Sequence, residues 1–157
     1  MQKHEYNIMI EWTGNKGSGT LDYRSYSRDH SIFGRKKEGL ILGSSDSSFS
    51  GDSKRYNPEE LMIASISSCH MLWYLRLCSD HQIIVTDYYD EAEGVLDIKS
   101  GGKGKITSVT LKPIVIIANK SVEQLAVDMH KKAHEECFIA NSCNFPIHFH
   151  PVIKVEE

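Results

Sequence analysis

Asn57-Pro58-Glu59-Glu60-Leu61-Met62-Ile63-Ala64-Ser65-Ile66-Ser67-Ser68-Cys69-His70-Met71-Leu72-Trp73-Tyr74-Leu75-Arg76-Leu77-Cys78 is the stretch on which the fold of this chain turns. It opens with an Asn N-cap, a Pro where the missing N–H is no loss, and two carboxylates in the positive first turn. A helix of about 24 residues is the expectation. Its apolar residues (Leu61, Met62, Ile63, Ile66, Met71, Leu72, Trp73, Leu75, Leu77) fall nearly all the way round, which predicts a helix at the centre of a core, with a second chain covering part of it. His70, Arg76 and several serines interrupt Leu61 to Leu77, so the stretch falls short of the ~20 apolar residues of a spanning helix.

Before this helix, residues 4–13 alternate with a period of two, Tyr6, Ile8, Ile10 and Trp12 lying on one side, and residues 20–26 resume the alternation after Gly14-Asn15-Lys16-Gly17-Ser18-Gly19. The two segments read as a hairpin. Residues 27–56 lose the pattern apart from Gly39-Leu40-Ile41-Leu42, a long loop with one short strand. After the helix, residues 83–98 and 103–118 read as two strands joined at Ser100-Gly101-Gly102. Ser121 to His134 is an amphipathic helix with Ser121 as N-cap, and Phe145 to Val155 closes the chain as a strand. Strands, long helix, strands, helix, strand is an α+β order without the strict alternation of a doubly wound sheet.

The chain has 157 residues, read as a single domain over 1–157, long enough to bury roughly two thirds of its unfolded surface. With 18 basic and 21 acidic side chains it has no overall pull toward nucleic acid or anionic membrane. The N-terminus goes straight into alternation with no apolar signal region, so the expectation is a cytoplasmic protein without membrane or nucleic-acid partners. In that setting Cys69, Cys78, Cys137 and Cys143 are expected to stay reduced, bind metal or do redox chemistry. Cys69 and Cys78 are nine residues apart on one helix, about 13 Å along it and on opposite sides, which forbids a bridge between them.

Glu59 with Cys69 ten residues on, the segment Trp12-Thr13-Gly14-Asn15-Lys16-Gly17-Ser18-Gly19-Thr20, and Ala133-His134-Glu135-Glu136-Cys137-Phe138-Ile139-Ala140-Asn141 together resemble the OsmC/Ohr family of thiol-dependent hydroperoxide reductases. The resemblance covers most of the chain and is weaker over 27–56. It implies antiparallel sheets wrapped around a long central helix in an intertwined homodimer, with no bound cofactor or metal. It also implies that Cys69 is the peroxidatic thiol and Cys137 the resolving one. The substrate would be an organic hydroperoxide, and an external dithiol would reset the disulfide; lipoyl groups do this for some members of the family.

A mid-helix cysteine gains little from the helix dipole, so the chemistry needs a cation beside Cys69. In the family an arginine held by a glutamate supplies it. The glutamate falls on Glu59, whose bland alternative is a first-turn dipole carboxylate. Ten helical residues place it about 15 Å from Cys69, so it either folds back from a loop or serves a partner subunit's site. The arginine is assigned to Arg24, with Arg28, Arg35 and Arg55 nearby, while the loop position used by OsmC-type members aligns near Ser48. Arg76, seven residues after Cys69, reads as mainly structural.

Two other classes stay open. His130 and His134 share a helix face ahead of Cys137 and Cys143, and His148 and His150 share a strand face, a set that could hold zinc, although no Cys-x2-Cys unit accompanies them. The alternative is a non-catalytic module whose apolar pocket takes a hydrophobic ligand. Cys143 departs from the two-cysteine pattern and could compete with Cys137.

Overall fold

The helix start written at Asn57 forms a capping box: the Glu60 N–H donates to Asn57 Oδ1 (2.8 Å), and Glu60 Oε2 accepts from the Asn57 N–H (3.0 Å). Helix α1 therefore runs over Pro58–Asp80 in the computed structural model, which describes residues 2–156. It ends in a Schellman turn. The Ile83 N–H donates to the Cys78 carbonyl (2.8 Å), the Gln82 N–H to the Ser79 carbonyl (3.1 Å), and Gln82 occupies the left-handed region at φ 57°.

The chain divides into two compact units, Met1–Leu61 and Met62–Glu157. In the first, β1 (Met9–Trp12), β2 (His30–Phe33) and β3 (Ile41–Gly43) form an antiparallel sheet in that order, with Met9 opposite Phe33 and Trp12 opposite His30. The short strand expected near Leu40 is β3. The expected hairpin partner of β1 is reduced to one antiparallel bridge between Tyr26 and Asn15: residues 20–25 are turns and bends, and the pairing strand begins at His30. Local side-chain bonds decide this, since Asp22 Oδ1 accepts the Arg24 N–H (2.7 Å) and Ser25 Oγ accepts the Asp22 N–H (3.1 Å), bending a segment whose alternation suggests a strand.

The second unit carries β4 (Val85–Asp90), β5 (Glu93–Ile98), β6 (Gly104–Leu111), β7 (Pro113–Ile117), α2 (Glu123–Glu136), β8 (Ile147–Phe149) and β9 (Val152–Val155). The expected strands 83–98, 103–118 and 145–155 each break in two, because each leaves one sheet and enters another. The sheets are ordered β4-β7-β9 and β5-β6-β8. Pairs β4/β7 and β5/β6 are antiparallel, while β8 and β9 run parallel to β6 and β7, so the sheets are mixed rather than purely antiparallel. Asp90 fixes the crossing point: its carboxylate accepts the Lys112 N–H (2.7 Å) and the Ser67 hydroxyl of α1. Gly94 lets β5 approach α1, since a Cβ there would stand 2.5 Å from Ile63 Cδ1.

α2 starts two residues later than expected. Asn119 Oδ1 takes the Ser121 N–H (2.9 Å), and a 3-10 turn over Lys120–Val122 precedes the helix.

Within this unit α1 buries one stripe, Ile66, His70, Tyr74 and Cys78, at an i+4 spacing. Tyr74 and Cys78 join Ile83, Val115, Ile117, Ala126, Met129 and Ala133 in one core cluster, and Ile66 joins Val109 and Leu111 in another. The all-round burial expected of α1 is not realised inside one chain, where Leu72 remains 62% exposed. By length and mean hydropathy, 1.2 over an 18-residue window, α1 also reaches the composition of a spanning helix, which the sequence expectation denied it. Its buried stripe packs on the sheets as that of a core helix does.

Holding a non-glycine residue in the left-handed region costs about 1 kcal/mol. Gln82→Gly should therefore raise the unfolding free energy by about 1 kcal/mol, read as a higher urea midpoint at unchanged m-value.

Candidate functional site

Cys69 sits in the middle of α1, where its own backbone N–H is already used, and it is half-buried. Cys137 caps the C-terminal end of α2 and is fully buried. Folding of the second unit brings these two side chains together: the Cys137 thiol lies against the Cys69 sulfur, close enough to hydrogen-bond to it. No disulfide joins them. Trp73, one turn after Cys69, meets Phe138, the residue after Cys137, edge to face at 5.4 Å between ring centres, so the thiol pair has an aromatic flank.

Burial pushes the Cys137 thiol up to about 11, and donation of its proton to Cys69 acts in the same direction. The backbone N–H groups of Ala140 and Ile139 oppose this by pointing at the sulfur, the Ala140 N–H at 3.4 Å. Burial thus favours the protonated thiol at Cys137. Cys78 is likewise pushed up to about 11 by burial, partly offset by the Tyr74 hydroxyl, and lies in the core away from this pair. Cys143 is half-buried and donates its S–H to the Ile139 carbonyl at 3.2 Å.

Beneath the thiols the two helices are tied by imidazoles. His70, the residue after Cys69, and His130 of α2 are both buried and share a hydrogen bond of 3.0 Å between Nε2 and Nδ1. Tyr74 stacks on the His130 ring at 3.8 Å, and Phe149 lies against both His70 and His134. Burial lowers His70 to about 4, with His134 adding to the effect, and lowers His130 to about 3, with His70 adding to it. The pair is neutral, with one proton between the rings. The outer nitrogens, His70 Nδ1 and His130 Nε2, have no hydrogen-bond partner among the described residues. The zinc expectation grouped His130 with His134 and the cysteines; His130 is instead spent on His70, which sequence spacing did not single out as its partner. Among the described residues no three His, Cys, Asp or Glu side chains are placed to hold a metal ion.

The other residues singled out from sequence lie elsewhere. Glu59 is in the first turn of α1 rather than in a loop that folds back. In the first unit the Arg28 guanidinium donates to the carbonyls of Tyr26 (2.8 Å) and Tyr23 (2.7 Å) and stacks over both rings. Arg55 faces Asp29 and Asp52. Ser48 is taken up by Asp46, which caps the turn it belongs to. Arg35 lines an open cleft of about 630 Å³ with Tyr6 and Met9. The Arg24 side chain is exposed and makes no hydrogen bond or ion pair among the described residues. Arg76 pairs with Asp80 at 3.2 Å on the surface of α1.

Residues 51–151 match the family of OsmC-like proteins. The chain belongs to that family. Across the solved structures, an OsmC-like protein of unknown function from Vibrio cholerae is 31% identical, superposes with a TM-score of 0.84, and is matched over 96% of this chain and 100% of its own. An organic hydroperoxide resistance protein from Legionella pneumophila (18% identity, TM-score 0.67, 98% and 100% covered) and another from Elizabethkingia anophelis (17%, 0.66, 99% and 100%) share the OsmC-like fold. No curated protein matches the chain. The mixed sheets and long helix of this OsmC-like chain agree with the α+β architecture expected from its sequence.

Neutral buried imidazoles make the OsmC-like unit acid-labile. Both pKa values are lower in the folded state than the unfolded 6.5, so the unfolded chain binds more protons as the pH drops below about 6.5. The pair's contribution is complete above that pH and is lost as the pH falls toward 4, by about 2 kcal/mol per imidazole at pH 5. Tyr74 and Tyr88 beside it stay neutral throughout this range, since burial raises both. Urea midpoints at pH 7.5 and 5.0 should differ accordingly, and His130→Phe should flatten the difference.

Proposed function

We propose that this OsmC-like protein reduces organic hydroperoxides with Cys69 as the attacking thiol and Cys137 as the resolving one. The observation that carries the reading is the juxtaposition of Cys69 and Cys137, thiols of two different helices 68 positions apart in sequence. Family membership and the hydroperoxide resistance proteins of the same fold support it.

The Cys69 thiolate attacks the O–O bond, the departing alkoxide takes a proton from water, and an alcohol and a sulfenic acid remain, the hydroxide left behind being neutralised by the proton Cys69 gave up on ionising. The Cys137 sulfur then displaces hydroxide from the Cys69 sulfur. The Cys137 proton leaves with it as water, and a disulfide remains. An external dithiol returns both cysteines to the reduced state. Cys78 takes no part, since helix geometry holds it away from Cys69.

Glu59 and Arg24 complete the site in this reading: the carboxylate orients a guanidinium that holds Cys69 as thiolate. Because ten helical residues separate Glu59 from Cys69 on α1, the pairing is made across a homodimer. Support for the dimer comes from α1, which leaves Leu72 and Met62 uncovered in one chain. Sedimentation at micromolar concentration should give the dimer mass. A monomer would remove the shared site.

Around Cys69, α1 presents Met62, Leu72 and Trp73 outside the core, so an apolar tail gains up to about 0.8 kcal/mol per buried CH2. Cumene hydroperoxide should be reduced with a kcat/KM well above that for hydrogen peroxide, with Cys69→Ser as the blank. One equivalent of peroxide should consume two thiols and yield a Cys69–Cys137 disulfide on peptide mapping. No loss of thiols would favour a non-catalytic binding module; a Cys69–Cys143 product would make Cys143 the resolving thiol.

A further inference from the structure

Cys143 is the thiol that the peroxidase reading leaves without work. It lies in the 3-10 turn that follows α2, with Ala140–Ser142 as its body, and the turn is folded around Cys137. The Cys137 carbonyl accepts the Asn141 N–H at 3.0 Å, and the Cys137 sulfur accepts the N–H groups of Ile139 and Ala140. The Ile139 carbonyl and the Ala140 N–H belong to one peptide group. The Cys143 S–H donates to the Ile139 oxygen of that group at 3.2 Å, and the Ala140 N–H of the same group donates to Cys137 Sγ at 3.4 Å. A single line of donors therefore runs from the Cys143 S–H, through the 139–140 peptide, to the Cys137 sulfur, which lies against Cys69.

We propose that Cys143 is a positioning residue for the opening of the Cys69–Cys137 disulfide, acting through the Ile139–Ala140 peptide to make Cys137 the leaving thiolate. The inference rests on the disulfide cycle given above and assigns its reductive half. A hydrogen bond accepted by a peptide oxygen polarises the group and strengthens the bond its N–H donates. The strengthened bond favours the charged sulfur over the neutral one. Exchange is faster when the departing thiol is the better thiolate. Access directs the attack to Cys69, because Cys69 is half-buried while Cys137 is fully buried, and the bonds from the turn offset the burial that otherwise makes Cys137 the poorer leaving group.

The step balances as follows. A thiolate of the dithiol attacks Cys69 Sγ; the S–S bond breaks, and its electron pair goes to Cys137. The second sulfur of the dithiol attacks the mixed disulfide and expels the Cys69 thiolate. The dithiol is oxidised by two electrons to its own disulfide. Of its two protons one reprotonates Cys137, and one is released. Cys143 is neither oxidised nor reduced.

The test uses the full chain oxidised with diamide, which joins thiol pairs without peroxide, so that failure of peroxide to form the disulfide would count against the peroxidase reading alone. The rate of disulfide opening by dithiothreitol is measured for the wild type, Cys143→Ala, Cys143→Val and Cys143→Ser. Removing the donor should slow opening about threefold, the effect of one pKa unit at a Brønsted slope near 0.5. Valine refills the contact Cys143 makes with the Ile66 cluster, so alanine and valine should agree. Serine keeps a donor and should restore the wild-type rate. With 2-mercaptoethanol and rapid acid quenching, the first mixed disulfide should map to Cys69. Equal rates in all four proteins, slowing that serine does not rescue, a first adduct on Cys137, or a diamide product containing Cys143 would each overturn the proposal.

Discussion

The hydrogen bond between His70 and His130 is the constraint on which the second unit depends. α1 contributes a narrow buried stripe, and His70 is its one strongly polar member, at a place where a lone imidazole would face the full penalty of an unmet donor or acceptor. α2 supplies the matching nitrogen. Once that bond is made, the azimuth of both helices is set. Cys69 precedes His70, and Cys137 follows His130 by seven residues, two turns of helix, so a bond between two histidines brings two thiols to one spot. A hydrophobic contact of equal area would hold the helices together but would tolerate sliding or rotation.

The same depth in the fold explains the unequal thiols. Cys137 is drawn into the core by the end of α2 and by the turn over Ala140–Ser142, so burial keeps it protonated and backbone N–H groups partly compensate. Cys69, one position from the buried stripe, stands at its edge between the core and the outer face of α1. Resolving thiol and attacking thiol are in this way distinguished by their positions on two helices.

Legibility in the sequence followed the range of the interactions. The start of α1 was readable because its signals are local: Asn57, Pro58 and Glu60 act within one turn, and the capping box forms among those residues. The stripe of α1 was not, because apolar residues on all sides obscure the i+4 series of Ile66, His70, Tyr74 and Cys78. β2 was missed since His30-Ser31-Ile32-Phe33 is only half-buried and lacks clear alternation, whereas residues 20–26 alternate but spend their backbone on Asp22 and Ser25. The breaks that pass strands from sheet to sheet also left little trace. Asp90 sets one of them through bonds to Ser67 and Lys112, residues 23 and 22 positions away.

For the site, the importance of Cys69 and Cys137 was carried by resemblance to a family, and the packing of α1 on α2 provides a physical reason for their proximity. His130 was noticed for the wrong partner: an i, i+4 pair with His134 is visible in sequence, while its bond to His70 spans 60 positions. The line from Cys143 to Cys137 was invisible for a different cause. It passes through a peptide group, which every residue possesses, so no side-chain pattern could have signalled it. What distinguishes that peptide is the turn that aims its oxygen at one thiol and its N–H at another, and such a turn exists only after α2 has ended at Cys137. The reactivity of the pair is therefore set by the end of α2 as much as by the cysteines themselves.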